Sequence, residues 1–172
     1  MVSRENEETA FYSAIGLGIT CWQYVENSLS EIFAIVSTCR IKATATAIFF
    51  SQRDFSDKLA MTHAALKETI SDQNIRNDWG KLRRRMINES EFRNAMAHFH
   101  VGTAPFEEPH FFLLPNLLDP GEKYRTSDRV KKKLDKIAIS DVRAAVNRFR
   151  TLSVDIGQFQ FRLPFSLRNP QL

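Results

Sequence analysis

Among 172 residues the sequence has only two cysteines, Cys21 and Cys39, and both fall in one helical pattern. Eighteen residues of helix would hold them about 27 Å apart. A disulfide within that helix is therefore excluded by reach, and a reducing, cytoplasmic setting is expected. No stretch approaches the ~20 consecutive apolar residues that a membrane span needs. Met1 to Thr9 is polar and acidic, unlike a secretion leader, whose basic start precedes an apolar run. Neither a glycine-rich phosphate loop nor a Gly-x-Ser-x-Gly elbow is present, which removes the chemistries built on them. Histidines and cysteines form no ligand array. His98 and His100 would diverge by about 160° on a helix, so no metal site and no cofactor are expected. Internal repeats and low-complexity tracts are also lacking. The net charge of +4 permits contact with nucleic acid without requiring it.

What the sequence does have is helical periodicity. From about Glu5 to Cys39, Phe11, Ile15, Gly18, Trp22, Val25, Leu29, Ile32 and Val36 recur at alternating spacings of four and three, a heptad-like seam that packs against other helices. It suits an intramolecular core and, less often, a dimer interface. Ala43 to Phe50 is a short apolar segment that reads as helix, with strand as the alternative. Asp54 is placed to cap the next helix, whose stripe is Phe55, Leu59, Thr62, Leu66 and Ile70. Ser71 to Asn74 reads as a break.

A further helix is expected from about Ile75 to Phe99. Lys81, Arg83, Arg84 and Arg85 cluster in it, either as a solvated face or with Arg83 and Arg84 contacting phosphate. Four of the six prolines, Pro105, Pro109, Pro115 and Pro120, then crowd one segment with Gly121, and helix is excluded there. Within it, His110 to Leu114 reads as a short strand or as an apolar loop, packed on the bundle or acting as a lid. Arg129 to Leu134 is the most basic patch, with Lys131, Lys132 and Lys133 as candidate phosphate contacts or, by default, an exposed helix or hairpin edge. Ser140 and Asp141 form an expected N-cap. The last helix, with Ala145, Phe149, Leu152, Ile156 and Phe159, should run to about Phe161, with Pro164 ending it.

The fold class that follows is all-α, an up-and-down helical bundle of four to five helices. An irregular insert at about 101–139 precedes the last helix. A single domain over 1–172 is expected, with unordered tails at 1–4 and 164–172.

Chemistry concentrates at Glu89 to His100. At ~100° per residue, Trp79, Leu82, Met86, Arg93 and Met96 share one stripe, and Ile87, Glu91, Asn94 and His98 share another. Glu89 and Arg93 lie four apart, a spacing that lets them pair. Arg93 and His98 are about 140° apart and are not face-mates. To meet, the arginine must reach around, the helix must loosen near His98, or a second chain must complete the site. The plainer alternative makes Glu89 and Arg93 a structural pair, with His98 and His100 only capping the terminal carbonyls.

Arg93-Asn94-Ala95-Met96-Ala97-His98 resembles the Arg-x4–6-His signature of the HEPN superfamily (higher eukaryotes and prokaryotes nucleotide-binding domain), in its Arg-Asn-x-x-Ala-His form. The layout of a long first helix, a motif near the end of a later helix, an irregular excursion and a final helix is similar too. The specific likeness covers residues 89–98. The resemblance implies a metal-independent endoribonuclease acting as a homodimer, with the two motifs facing one cleft. It implies a toxin or phage-defence role, RNA as substrate and an antitoxin protein as a further partner. On this likeness His98 is the acid/base group, Arg93 stabilises the phosphorane-like transition state, and Asn94 orients the histidine or a phosphate oxygen. Glu89 and Glu91 are supporting residues. Expected products are a 2′,3′-cyclic phosphate and a 5′-hydroxyl. HEPN domains without nuclease activity imply the alternative of a module that binds a partner protein or nucleotide.

Overall fold

A computed structural model of the chain describes residues 4–103, 110–115 and 136–168. It is an all-α helical bundle carrying one small sheet. The helices are α1 (Arg4–Val36), α2 (Lys42–Ser51), α3 (Phe55–Thr69), α4 (Gln73–His98), α5 (Ile139–Phe159) and a single turn, α6 (Phe165–Arg168). A 3-10 turn, Gln160–Arg162, links the last two. Strands β1 (His100–Thr103), β2 (Phe111–Leu114) and β3 (Ile137–Ala138) form an antiparallel sheet in the order β1-β2-β3. No described helix is long and apolar enough to cross a membrane.

The helix signals hold with local differences. Every member of the α1 seam is buried except Ile15, which is half-buried. The helix ends at Val36, before Cys39, where Thr38 turns into the left-handed region at φ 52°. Asp54 sits at the N-cap of α3 but makes no side-chain cap bond. Asp72 caps α4 instead, accepting the backbone N–H of Asn74 at 2.7 Å. Asp141 lies inside α5 and accepts the Ala138 N–H at 3.0 Å. It thus supplies the returning half of a capping box rather than the cap itself. The insert, expected to be irregular, holds the three strands. Arg4 and Phe165–Arg168, expected in unordered tails, are helical.

The chain packs as two compact units. One holds the described residues of Met1–Trp22 and Glu89–Phe149. In it Trp22 meets Phe149 edge-on at 5.1 Å between ring centroids. Gly18 is buried against α4 and α5: a Cβ there would lie 2.9 Å from both Sδ and Cε of Met96 and 3.6 Å from Val146. Alternation along β2 sends Phe111 and Leu113 to one face and Phe112 to the other. All three are buried. The Lys136 ammonium lies 3.9 Å from the Phe112 ring centre, and the Arg4 guanidinium lies 5.9 Å from that of Phe111. Gly102, opposite Phe112, leaves the space that the Leu114 side chain fills. Glu7 ties α1 to the start of β2, accepting the His110 backbone N–H at 2.7 Å and meeting its Nδ1 at 2.9 Å. That hydrogen bond holds the Glu7 carboxyl below its ordinary value.

The other unit comprises Gln23–Asn88 and the described part of Arg150–Leu172. Its core includes Val25, Leu29, Ile32, Phe49, Leu66, Trp79, Met86 and Ile156, with burial stabilising each large apolar side chain by about 1.5–3 kcal/mol. Trp79 packs on Phe159 at 5.7 Å. A buried ion pair joins Lys58 to Glu26 at 2.5 Å, and the ammonium also lies over the Phe49 and Phe50 rings. Arg85 pairs with Asp155 at 2.7 Å.

The Gly18 contact separates two substitutions. Gly18→Ala displaces only the flexible tip of Met96 and gains about 1 kcal/mol of helix propensity, so its melting temperature should stay near that of the parent. Gly18→Leu overpacks the junction at a cost of about 1–3 kcal/mol, which lowers Tm by about 2–4 °C per kcal/mol in a chain of this size. Thermal denaturation followed by circular dichroism distinguishes them.

Candidate functional site

The end of α4 is held by what it buries. Ala95 and Met96 are buried, and the Met96 tip lies against Gly18. Asn94 and His98, on the other face, are exposed, and Arg93 is half-buried. The helix does not loosen: Phe99 donates its backbone N–H to the Ala95 carbonyl at 2.9 Å, and α4 is regular through His98. Of the two ways for one chain to bring the arginine toward the histidine, only reaching around is left. Arg93 does turn that way, with Nη1 donating to Asn94 Oδ1 at 3.2 Å. Asn94 and His98 are four apart and point the same way. The amide bond leaves Asn94 Nδ2 as an outward donor.

Arg93 is incompletely satisfied. Its Nε is buried and has no hydrogen-bond partner among the described residues. A buried donor left without an acceptor costs about 1–3 kcal/mol, and more when charged. Such groups are rare in folded chains, and the Nη end of the guanidinium is the part of the side chain that reaches the surface.

The expected pairing of Glu89 with Arg93 is not made. Glu89 instead accepts from Arg148 Nε, at 2.9 Å to one carboxylate oxygen and 3.0 Å to the other. The Arg148 guanidinium also lies 5.4 Å from the Phe92 ring centre. Being half-exposed, this pair contributes at most ~1 kcal/mol. Its effect is to dock α5 on α4 and to take the Glu89 carboxylate from Arg93. Arg148 had no signal in the sequence, since its partner lies 59 positions away.

Glu91 lies on the stripe of Asn94 and His98 and is half-buried. Burial raises its carboxyl above the ordinary value. Arg83 and Arg84 belong to the other compact unit, the first half-buried and the second exposed. Lys131, Lys132 and Lys133 lie outside the described residues. No three His, Cys, Asp or Glu side chains cluster as a metal site among the described residues.

The Glu91 shift has a sign that can be tested. A carboxyl raised by folding binds its proton more tightly in the native state, so stability falls as pH rises through its titration and stays lower above it. Glu91→Gln should therefore raise Tm at pH 7, and the gain should vanish once the pH is below the ordinary glutamate value of 4.5. Melting curves of both proteins across pH 3–7 (roughly spanning that titration) show it.

The chain matches no protein-family model, no curated protein and no solved structure.

Proposed function

We propose that the chain is a HEPN-type, metal-independent endoribonuclease that works as a homodimer, in a toxin or phage-defence setting. The observation that carries this reading is the bend of Arg93 toward Asn94, on the exposed face shared with His98. A phosphodiester offers acceptors to the exposed Nη donors of Arg93 and to Asn94 Nδ2. His98 takes the proton of a ribose 2′-hydroxyl, and the 2′-oxygen attacks the adjacent phosphorus. The bond to the 5′-oxygen breaks, and that oxygen takes the proton from His98 and leaves as a 5′-hydroxyl. A 2′,3′-cyclic phosphate remains on the other fragment. Arg93 offers its planar donors to the charge that builds on the phosphoryl oxygens, and Asn94 Nδ2 holds one of them. A second copy brings a second motif to the same cleft.

Tyr12 and Ile19 lie near one another on an ideal α1, with Ile15 between them. Tyr12 is 52% exposed and Ile19 36%. This apolar strip, in the same compact unit as the motif, suits the dimer. It also favours the second reading, a non-catalytic HEPN module that docks a partner protein.

Purified protein incubated with RNA and a chelator should release fragments ending in 2′,3′-cyclic phosphate. His98→Ala should slow this by about 10²–10⁴-fold, the usual worth of a general acid/base group. Arg93→Ala should slow it by about 10²–10³-fold. Both variants should keep the parent's helical circular dichroism. Cleavage at the parental rate by both would move the site elsewhere. Absence of cleavage, with a specific protein recovered on Tyr12 and Ile19, would favour the docking module.

A further inference from the structure

We propose that a recess between α3 and α4, flanked by His63, Lys67 and Arg83, binds an oxyanion of the phosphate class. The site lies within one compact unit and does not rest on the nuclease reading. The recess holds about 470 Å³, and besides these three residues it is lined by Glu68 and three alanines. That is room for a phosphate ester, at the lower end of small-ligand pockets of about 300–1,000 Å³.

The chemistry of the wall decides the ligand. Trp79 is buried, and its indole Nε1–H donates to His63 Nδ1 at 3.0 Å. An indole only donates, so Nδ1 must be unprotonated, and the neutral imidazole carries its hydrogen on Nε2. Burial, then the positive charges of Arg83 and Lys67, push the His63 pKa down. At neutral pH the ring is therefore an uncharged donor of fixed tautomer. Arg83 lines the same recess, and its Nε is buried without a hydrogen-bond partner among the described residues. One ring N–H, one ammonium and one guanidinium thus flank a space whose single carboxylate among the described residues is Glu68. A cation is opposed by two positive side chains. An apolar ligand would offer no acceptor to the ring N–H, the ammonium or the guanidinium. A tetrahedral oxyanion supplies acceptors to donors arriving from two helices, and the arginine fork suits phosphate geometry.

The experiment follows the His63 ring resonances of the full chain by NMR. Inorganic phosphate is one probe and a short oligodeoxynucleotide, which has no 2′-hydroxyl to react, is the other. Chloride at equal ionic strength is the control. The expected result is a saturable shift with at least one phosphate probe and none with chloride. The bound anion should also raise the pKa of His63, set against Lys67 and Glu68 on α3 and Arg83 on α4. A response to inorganic phosphate identifies a free-phosphate site, and a response to the oligonucleotide alone identifies a phosphodiester site. Arg83→Gln should weaken the response about tenfold, the loss expected for one charged hydrogen bond, while the Trp79 indole resonance stays in place. Overturning results are no saturable shift with either probe, the same shift with chloride, or an undiminished response in folded Arg83→Gln. The comparison of phosphate with chloride on the parent protein decides the matter even where the variant fails to fold.

Discussion

An unbroken α-helix fixes where side chains can point, and that constraint governs the motif. In α4 the hydrogen-bonded ladder continues to the Phe99 N–H. Arg93 and His98 therefore keep their separation of about 140° around the axis, and only the arginine's length can narrow it. Its guanidinium swings onto Asn94, the residue that shares the histidine's face. The carboxylate that would have held it back, Glu89, is engaged by Arg148 of α5. Among the described residues Arg93 is thus held by one neutral acceptor, and its buried Nε has no partner.

The motif can be presented in this way because the opposite face of the helix is firmly packed. Ala95 and Met96 are buried, and Met96 reaches into the place where a side chain at position 18 would sit. Close packing of this kind costs free energy when either side is enlarged. It leaves the turn bearing Asn94 and His98 little freedom to rotate. The pair between Glu89 and Arg148 adds little stability of its own, yet it helps decide which groups stay available.

Much of the helical plan was legible in the sequence, because apolar periodicity reports burial directly. The α1 seam, the α3 stripe and the extent of α4 are all local patterns, and the core contains every member of the seam and stripe but Ile15 and Phe55, which are half-buried. The features that escaped depend on residues far apart in the chain. The strand Phe111–Leu114 was open between strand and loop because a four-residue apolar run carries no period of its own, and its partners lie at 100–103 and 137–138. Glu89 had a nearby arginine at the right spacing, and the longer-range Arg148 prevailed. The bond from Trp79 to His63 spans 16 positions and two helices, so neither residue signalled it. The stripe positions of Arg93, Asn94 and His98 could be read in advance from helical geometry. That Arg93 would bond to its neighbour rather than to Glu89 could not, since it depends on where α5 places a competing cation.

The central claim is that the guanidinium and the imidazole of two chains act in one cleft. Mixing subunits tests it most directly. Arg93→Ala and His98→Ala chains are co-refolded so that half of the dimers are mixed, and RNA cleavage is measured in a chelator. The account predicts activity in the mixture well above that of either variant alone, because each mixed cleft holds one intact arginine and one intact histidine. A mixture no more active than its two components, with mixed dimers shown to be present, would contradict a shared cleft.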